Sequence, residues 1–441
     1  MNEHSHGAAT LNNPAQTATC TMPPASDSPL LMAAYQCGPG MGSVSQIGWE
    51  WFIRTAQRRP VTLVTHTRNR SAIEAQGPLP AQAEVIYIDT EWFAGPLYRL
   101  ARKVFPHSEH GVFLVASLDY FVFDALALRV LRRLQPMRPW SALHIVTPVT
   151  LAAPSRLHKL GLPVVWGPLN CGLHSPAGFE TLLRHERPWL IRLRELPRLL
   201  DGLMGSTRHT RVLLTATRAT RAAVPARHRE RCHDMLENGV DLSRFVATPW
   251  PPAPDTTQPL NVLFVGRMIA LKGVTLLLRA VAQLTQQGHA IALTLVGDGP
   301  EKAQWMAEAQ VLGIGAHTRF TGALPLQAVA GEMQACHVFC LPSVRESGGA
   351  VLLEAMASGR PVVAIAHGGP AELVDEHVGC AIAPTDPDDV VTQLVHALAD
   401  VASHPTTWAA KGQMGRQRVL AHHDWEQKIS AAQGIYAAVS A

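Results

Sequence analysis

Short apolar runs recur along this chain, each followed by an amphipathic stretch long enough to form a helix. The runs at 30–35, 61–66, 83–89, 142–148, 163–168 and 212–217 occupy the first half, and those at 260–266, 291–297, 319–322, 337–342 and 361–366 the second. Helix-period stretches such as 47–58 and 111–135 lie between them. Continuous apolar runs alternating with helices are the pattern of a parallel sheet covered on both faces. The segment 247–259, ATPWPPAPDTTQP, separates the two series with five prolines in thirteen residues. Proline fixes φ and lacks an amide donor, so this segment continues neither a helix nor a central strand. It is expected to be a semi-rigid interdomain connector. The chain thus reads as a polar arm (1–28), an α/β domain (29–246), the connector (247–259), a second α/β domain (260–423) and a C-terminal helix (424–441). Ligand sites are expected at the carboxyl ends of the strands and in the cleft between the domains.

Composition excludes several classes. At 441 residues the chain has room for two or three domains. Its 33 Gly and 33 Pro make 66 residues, or 15%, which is short of the ~25–30% of low-complexity chains. There is no run of about 18 apolar residues, so no transmembrane helix is expected. The N-terminus, MNEHSHGAATLNNPAQTATC, lacks a basic stretch followed by an apolar one, and is read as a disordered polar arm rather than a secretory signal. With 38 basic and 34 acidic residues, a net charge of +4 is too balanced for nucleic acid as the main partner. Seven scattered cysteines without a C-x-x-C pair suit a reducing compartment. Cys336, His337 and Cys340 fall in an apolar run and lack a fourth ligand, so no zinc site is expected.

The second half carries the chemistry. In LFVGRMIALKG an apolar run ends at Gly266, and Arg267 and Lys272 bracket the loop before a helix begins. Two cations beside backbone N–H groups suit an anion. In LTLVGDGP a run ends at Gly297, with a tight turn through Asp298, Gly299 and Pro300. The most informative stretch is LPSVRESGGAVLLEAMASGRP: a strand, a loop with Arg345 and Glu346, the small residues Ser347, Gly348 and Gly349, then a helix from about Ala350 carrying Glu354 and ending at Gly359. Carboxylates repel phosphate but accept hydrogen bonds from hydroxyls, so they suit a sugar and a ribose. A helix N-terminus for phosphate with flanking carboxylates makes a nucleotide-sugar pocket.

VGRMIALKG, LVGDGP, the FTG of 320–322 and the pair Glu346 and Glu354, in this order over about 259–375, resemble family 4 of the glycosyltransferases. The resemblance implies the GT-B architecture: two Rossmann-like α/β/α domains facing across a cleft. It implies transfer of a sugar, with retention of anomeric configuration, from a nucleotide-diphosphate sugar to a glycan or lipid-linked glycan, as in bacterial surface-polysaccharide biosynthesis. Arg267 and Lys272 would grip the diphosphate, Glu346 the transferred sugar and Glu354 the ribose, with Arg267, Lys272 and Glu346 as the catalytic set. Gly266, Gly297, Phe320, Thr321, Ser347, Gly348, Gly349 and Ala350 would complete the donor site. No cofactor or metal is implied; the nucleotide sugar is a substrate. The triplet Asp386-Pro387-Asp388 precedes a helical run, and capping accounts for it.

The first half holds the acceptor side of this resemblance. CGPGMGSVSQIGWEWF is a Gly-rich loop before a helix, and Gly42 is the match for a glycine approaching the diphosphate. ALHIVTPVTLAAPSRLHKLGLPVVWGPLNCG resembles a bacterial branch with W-G-P-x-G-G-G, with Asn170 and Cys171 in place of two glycines. Acceptor-side candidates are His144, Asn170 and His174, with His66 a further histidine. Over 184–211, seven Arg against Glu186, Glu195 and Asp201 leave +4 around an apolar helical spacing. Two readings stay open there: peripheral contact with an anionic membrane, or a core-facing stripe with a solvated face. The implied location is cytoplasmic, with that membrane contact on the inner face. Competing readings are another GT-B enzyme, such as a glycan phosphorylase or nucleotide-sugar epimerase, and a non-catalytic subunit of a polysaccharide assembly complex.

Overall fold

The computed structural model describes residues 28–104, 117–183, 197–255 and 258–441. The expected polar arm up to residue 27, the start of the 111–135 stretch and the 184–196 part of the basic stretch lie outside the described residues.

The first sheet contains β1 (Leu30–Ala34), β2 (Val61–His66), β3 (Ala83–Ile88), β4 (Ala142–Thr147), β5 (Val164–Leu169), β6 (Val212–Thr215) and β7 (Cys232–Asp234). Their order across the sheet is β3-β2-β1-β4-β5-β6-β7, and every pair is parallel. The second sheet contains β8 (Leu260–Val265), β9 (Ile291–Val296), β10 (Thr318–Gly322), β11 (Val338–Leu341), β12 (Val362–Ile365) and β13 (Gly379–Ile382), in the order β10-β9-β8-β11-β12-β13 and also parallel. Each order reverses once, between β1 and β4 and between β8 and β11. Those reversals are the switch points where open α/β sheets form a ligand crevice.

The apolar runs are continuous because both faces of each sheet are covered. Leu31, Val64, Leu143 and Trp166 enter one core of the first domain, while their neighbours Met32, Leu63, Ala142 and Val165 enter the other. This is the period of two expected of a strand. The expected runs coincide with strands to within a residue or two. The short strands β7 (CHD) and β13 (GCAI) carry too little apolar signal to read from sequence.

Helix Trp425–Ser440 returns to the first domain. Its Glu426 accepts from Arg54 at 2.9 Å and Arg58 at 2.6 Å. Its Tyr436 hydroxyl lies 2.7 Å from His144 Nδ1, while His144 Nε2 lies 2.7 Å from the Gly167 carbonyl. A carbonyl only accepts, so Nε2 carries the proton and Nδ1 accepts from Tyr436. His144 is fully buried, and burial pushes it down to about 4. Both nitrogens are committed within the core, so His144 is not an acceptor-side residue, contrary to the expectation from sequence.

The Pro-rich segment also differs from its expectation. It lies on the second domain instead of bridging the two. Buried Arg360 donates to Thr248 Oγ1 and to the Pro249 carbonyl, Trp250 Nε1 donates to the His337 carbonyl at 2.8 Å, and His337 Nε2 donates to the Pro252 carbonyl at 2.8 Å. His337 Nδ1 accepts from Asn261 N, so its ring anchors this segment. The domain crossing lies upstream: Met235 packs with the first domain, while Val240 and Phe245 belong to the second core.

The Tyr436→Phe variant is expected to leave His144 Nδ1 buried without a donor and to lower stability by about 1–3 kcal/mol in urea unfolding. Because the folded His144 pKa lies below 6.5, its contribution is complete above 6.5 and is lost as pH falls toward 4.

Candidate active site

The loops beyond β8, β9, β10, β11 and β12 meet at one edge of the second sheet. Met268 N donates to the Asp298 carbonyl at 2.8 Å, Gly297 N to the Gly322 carbonyl at 2.9 Å, and Val344 N to the Leu271 carbonyl at 2.9 Å. Gly297 has φ +134, and a Cβ there would lie 1.9 Å from the Gly266 carbonyl oxygen. The glycine of LVGDGP is therefore a contact point between two loops as well as a turn. Glu346 forms a bridge with Gly368, and Gly369 N donates to the Glu346 carbonyl at 3.0 Å.

This packing sets the charged side chains. Lys272 Nζ forms an ion pair with Glu346 Oε2, with side chains 18% and 15% exposed. Arg267 is exposed on the same loop as Lys272. Gly348 and Gly349 are buried, Ser347 is exposed, and Gly349 precedes helix Ala350–Ala357 with φ +63. Glu354 lies half-buried in that helix; burial pushes its carboxyl up to about 7 although the Arg244 guanidinium pulls it down. Phe320 is half-buried against the core, and the Thr321 hydroxyl donates to the Gly322 carbonyl at 2.8 Å. The structure thus joins Lys272 to Glu346 directly and sets Gly266 and Gly297 in contact beside them.

The first domain contributes from across the cleft. Gly42, exposed with φ +105, precedes helix Ser43–Ala56. The loop after β5 reaches the second domain: Arg345 donates to Ser175 Oγ at 3.1 Å, and His367 Nε2 to the His174 carbonyl at 2.5 Å. The His174 ring is exposed. Asn170 Nδ2 donates to Glu237 Oε1 at 2.5 Å. His66 is buried, with Nε2 2.7 Å from Thr90 Oγ1 and Asp119 alongside. Sequence reasoning missed Glu237 and Arg244. Both follow β7, and recognising that strand would have set the LENGVDLSRF segment at its carboxyl end.

Asp386 Oδ1 accepts from the backbone N–H groups of Asp388 and Asp389, both at 3.0 Å, and so caps helix Pro387–Ser403. Among the described residues there is no group of three or more His, Cys, Asp or Glu that could hold a metal ion.

Two facing domains with parallel sheets of this kind define the GT-B class of fold. Residues 251–413 match the family model described as glycosyl transferases group 1. Among curated proteins, the chain is 29% identical over 205 residues to a glycogen synthase of Mycobacterium tuberculosis, covering 46% of this chain and 48% of that protein. It is 30% identical over 213 residues to a GDP-mannose-dependent alpha-(1-6)-phosphatidylinositol monomannoside mannosyltransferase of Mycolicibacterium smegmatis, covering 44% and 53%. The chain spans about half the length of these relatives. Among solved structures, a sucrose-phosphate synthase from Thermosynechococcus elongatus superposes with TM-score 0.64 at 18% identity, over 93% of this chain and 99% of that one. HepE of Anabaena in complex with UDP gives TM-score 0.62 at 17% identity, over 93% and 100%.

The raised Glu354 pKa has a stability consequence. Between pH 4.5 and about 7 the folded chain holds a proton that the unfolded chain has released, so stability falls as pH rises through this window. Glu354→Gln is expected to be more stable than the parent at pH 8, by about 1–3 kcal/mol, with the two converging near pH 4.5. Urea unfolding at the two pH values reads this directly.

Proposed function

We propose that this protein is a retaining hexosyltransferase that moves a sugar from a nucleotide-diphosphate sugar to a hydroxyl of a glycan or lipid-linked glycan, in surface-polysaccharide biosynthesis. The observation that carries this reading is the Lys272–Glu346 ion pair, with Arg267 on the Lys272 loop and Glu354 in the helix beyond Glu346. The match of 251–413 to the group 1 model covers these residues. The naming of an Escherichia coli relative, 29% identical over 197 residues, as a putative colanic acid biosynthesis glycosyltransferase supports the polysaccharide setting.

In this reading the site is held together by its own charges. An incoming diphosphate competes with Glu346 for Lys272, and sugar hydroxyls take over Glu346. Glu354 accepts from the ribose. During transfer the bond from the anomeric carbon to the phosphate oxygen breaks, and the acceptor oxygen bonds to that carbon on the same face. The acceptor proton passes to a phosphate oxygen. Negative charge grows on the departing diphosphate, and Arg267, Lys272 and helix N-termini are positioned to stabilise it. These cations supply the charge compensation, and the reading includes no metal or cofactor. It places the protein in the cytoplasm, with 184–211 as a peripheral membrane contact. In that stretch Leu203 is 86% exposed, and no described helix is long and apolar enough to cross a membrane.

Thermal unfolding with UDP, GDP, ADP and CMP tests the donor site. A nucleotide at 100 times its Kd is expected to add about 2.7 kcal/mol to stability, and Lys272→Ala is expected to abolish the shift. Absence of any shift in the parent protein would count against the donor pocket.

A further inference from the structure

Glu237 lies three residues beyond β7 and is 3% exposed. Its Oε1 accepts from Asn170 Nδ2, whereas its Oε2 is buried and has no hydrogen-bond partner. A buried carboxylate oxygen without a donor costs free energy, and such groups are rare in folded proteins. The Glu237 backbone N–H and Asn170 favour the charged form, but no hydrogen-bond donor reaches Oε2. Lys428 is buried and attracts the carboxylate, but its Nζ donates to the Leu236 carbonyl at 2.5 Å. Glu346 repels it. Burial pushes the Glu237 carboxyl up and Lys428 down to about 8.

The position of this group is fixed from several sides. Trp51 Nε1 donates to the Glu237 carbonyl at 3.3 Å, and Lys428 holds the preceding carbonyl. A Cβ at Gly348 would lie 2.1 Å from Glu237 Oε1 and 3.0 Å from Asn238 Nδ2. Gly348 thus leaves room for the carboxylate against the loop that carries Glu346. Asn170, its donor, sits at the start of the loop from β5 that contacts the second domain at His174 and Ser175. Glu237 therefore stands where the acceptor-side and donor-side loops meet.

We propose that Glu237 is a sugar-binding residue, whose Oε2 accepts a hydrogen bond from a hydroxyl of the donor's sugar beside Glu346. This rests on the donor-site reading above. A sugar hydroxyl is the chemical group that supplies the missing donor, since a phosphate would be repelled. The proposal also accounts for retaining an acid here at a cost to stability.

The test compares the Kd of a nucleoside diphosphate with that of its sugar-bearing form, for UDP with UDP-glucose and GDP with GDP-mannose. Parent protein, Glu237→Gln and Glu237→Ala are each titrated calorimetrically, and urea unfolding checks that each variant is folded. Glu237→Gln keeps the shape of the side chain if the shorter variant does not fold. The expected result is unchanged affinity for the diphosphate, with a loss of roughly 10- to 100-fold for the sugar-bearing form, the effect of one hydrogen bond to a charged group. Equal loss for both ligands, or loss for neither, overturns the assignment while leaving the donor site standing. The same comparison is run for ADP with ADP-glucose, and a parent protein that binds none of these ligands, nor CMP, overturns both.

Discussion

The ion pair of Lys272 and Glu346 joins two loops that leave adjacent strands, β8 and β11, on opposite sides of a topological switch. From β8 the chain runs on to β9 in one direction, while β11 lies in the other, so a crevice opens between the two loops. The pair places an opposite charge on each wall of that crevice. The hydrogen bonds from Val344 to Leu271 and from Gly369 to Glu346 fix the backbone on which both charges are carried. The crevice thus offers two chemistries side by side: an ammonium suited to anions and a carboxylate suited to hydrogen-bond donors.

The less exposed acids describe a different balance. Glu354 and Glu237 both sit where burial opposes their charge, and among the described residues neither forms a salt bridge. A core selected only for stability would replace them with neutral or apolar groups. In the reading proposed above, ligand hydroxyls would offset that cost on binding. His144 shows the opposite case. It is fully buried, but Tyr436 and Gly167 satisfy both of its nitrogens, so it stabilises the core and leaves no capacity for a ligand.

Much of this architecture was legible because both sheets are parallel and covered on both faces. Trp166 and Val165 enter opposite cores, so the whole run reads as apolar. The spacing of Glu346 and Glu354 reads directly from the sequence because a loop and a short helix keep it local. His144 was misread because its partners, Tyr436 and Gly167, are distant in sequence, and nothing in ALHIVTP announces them. The Pro-rich segment was misread for a related reason. Proline composition describes backbone stiffness, not the surface on which the segment lies, and that surface is set by Arg360 and His337. Glu237 went unseen because its defining property is a missing partner, which only a three-dimensional arrangement reveals.

The return of the C-terminal helix to the first domain means that the chain passes between domains twice. The passes touch: Val240 N donates to the His423 carbonyl at 2.9 Å, and Trp425 N to the Val240 carbonyl at 3.4 Å. A single tether would let two bodies swing and twist independently. Two tethers laced to each other resist twist, and leave bending across the pair as the softest motion. The cleft therefore has a spine, a hinge line along which its two walls are tied rather than free to slide past each other.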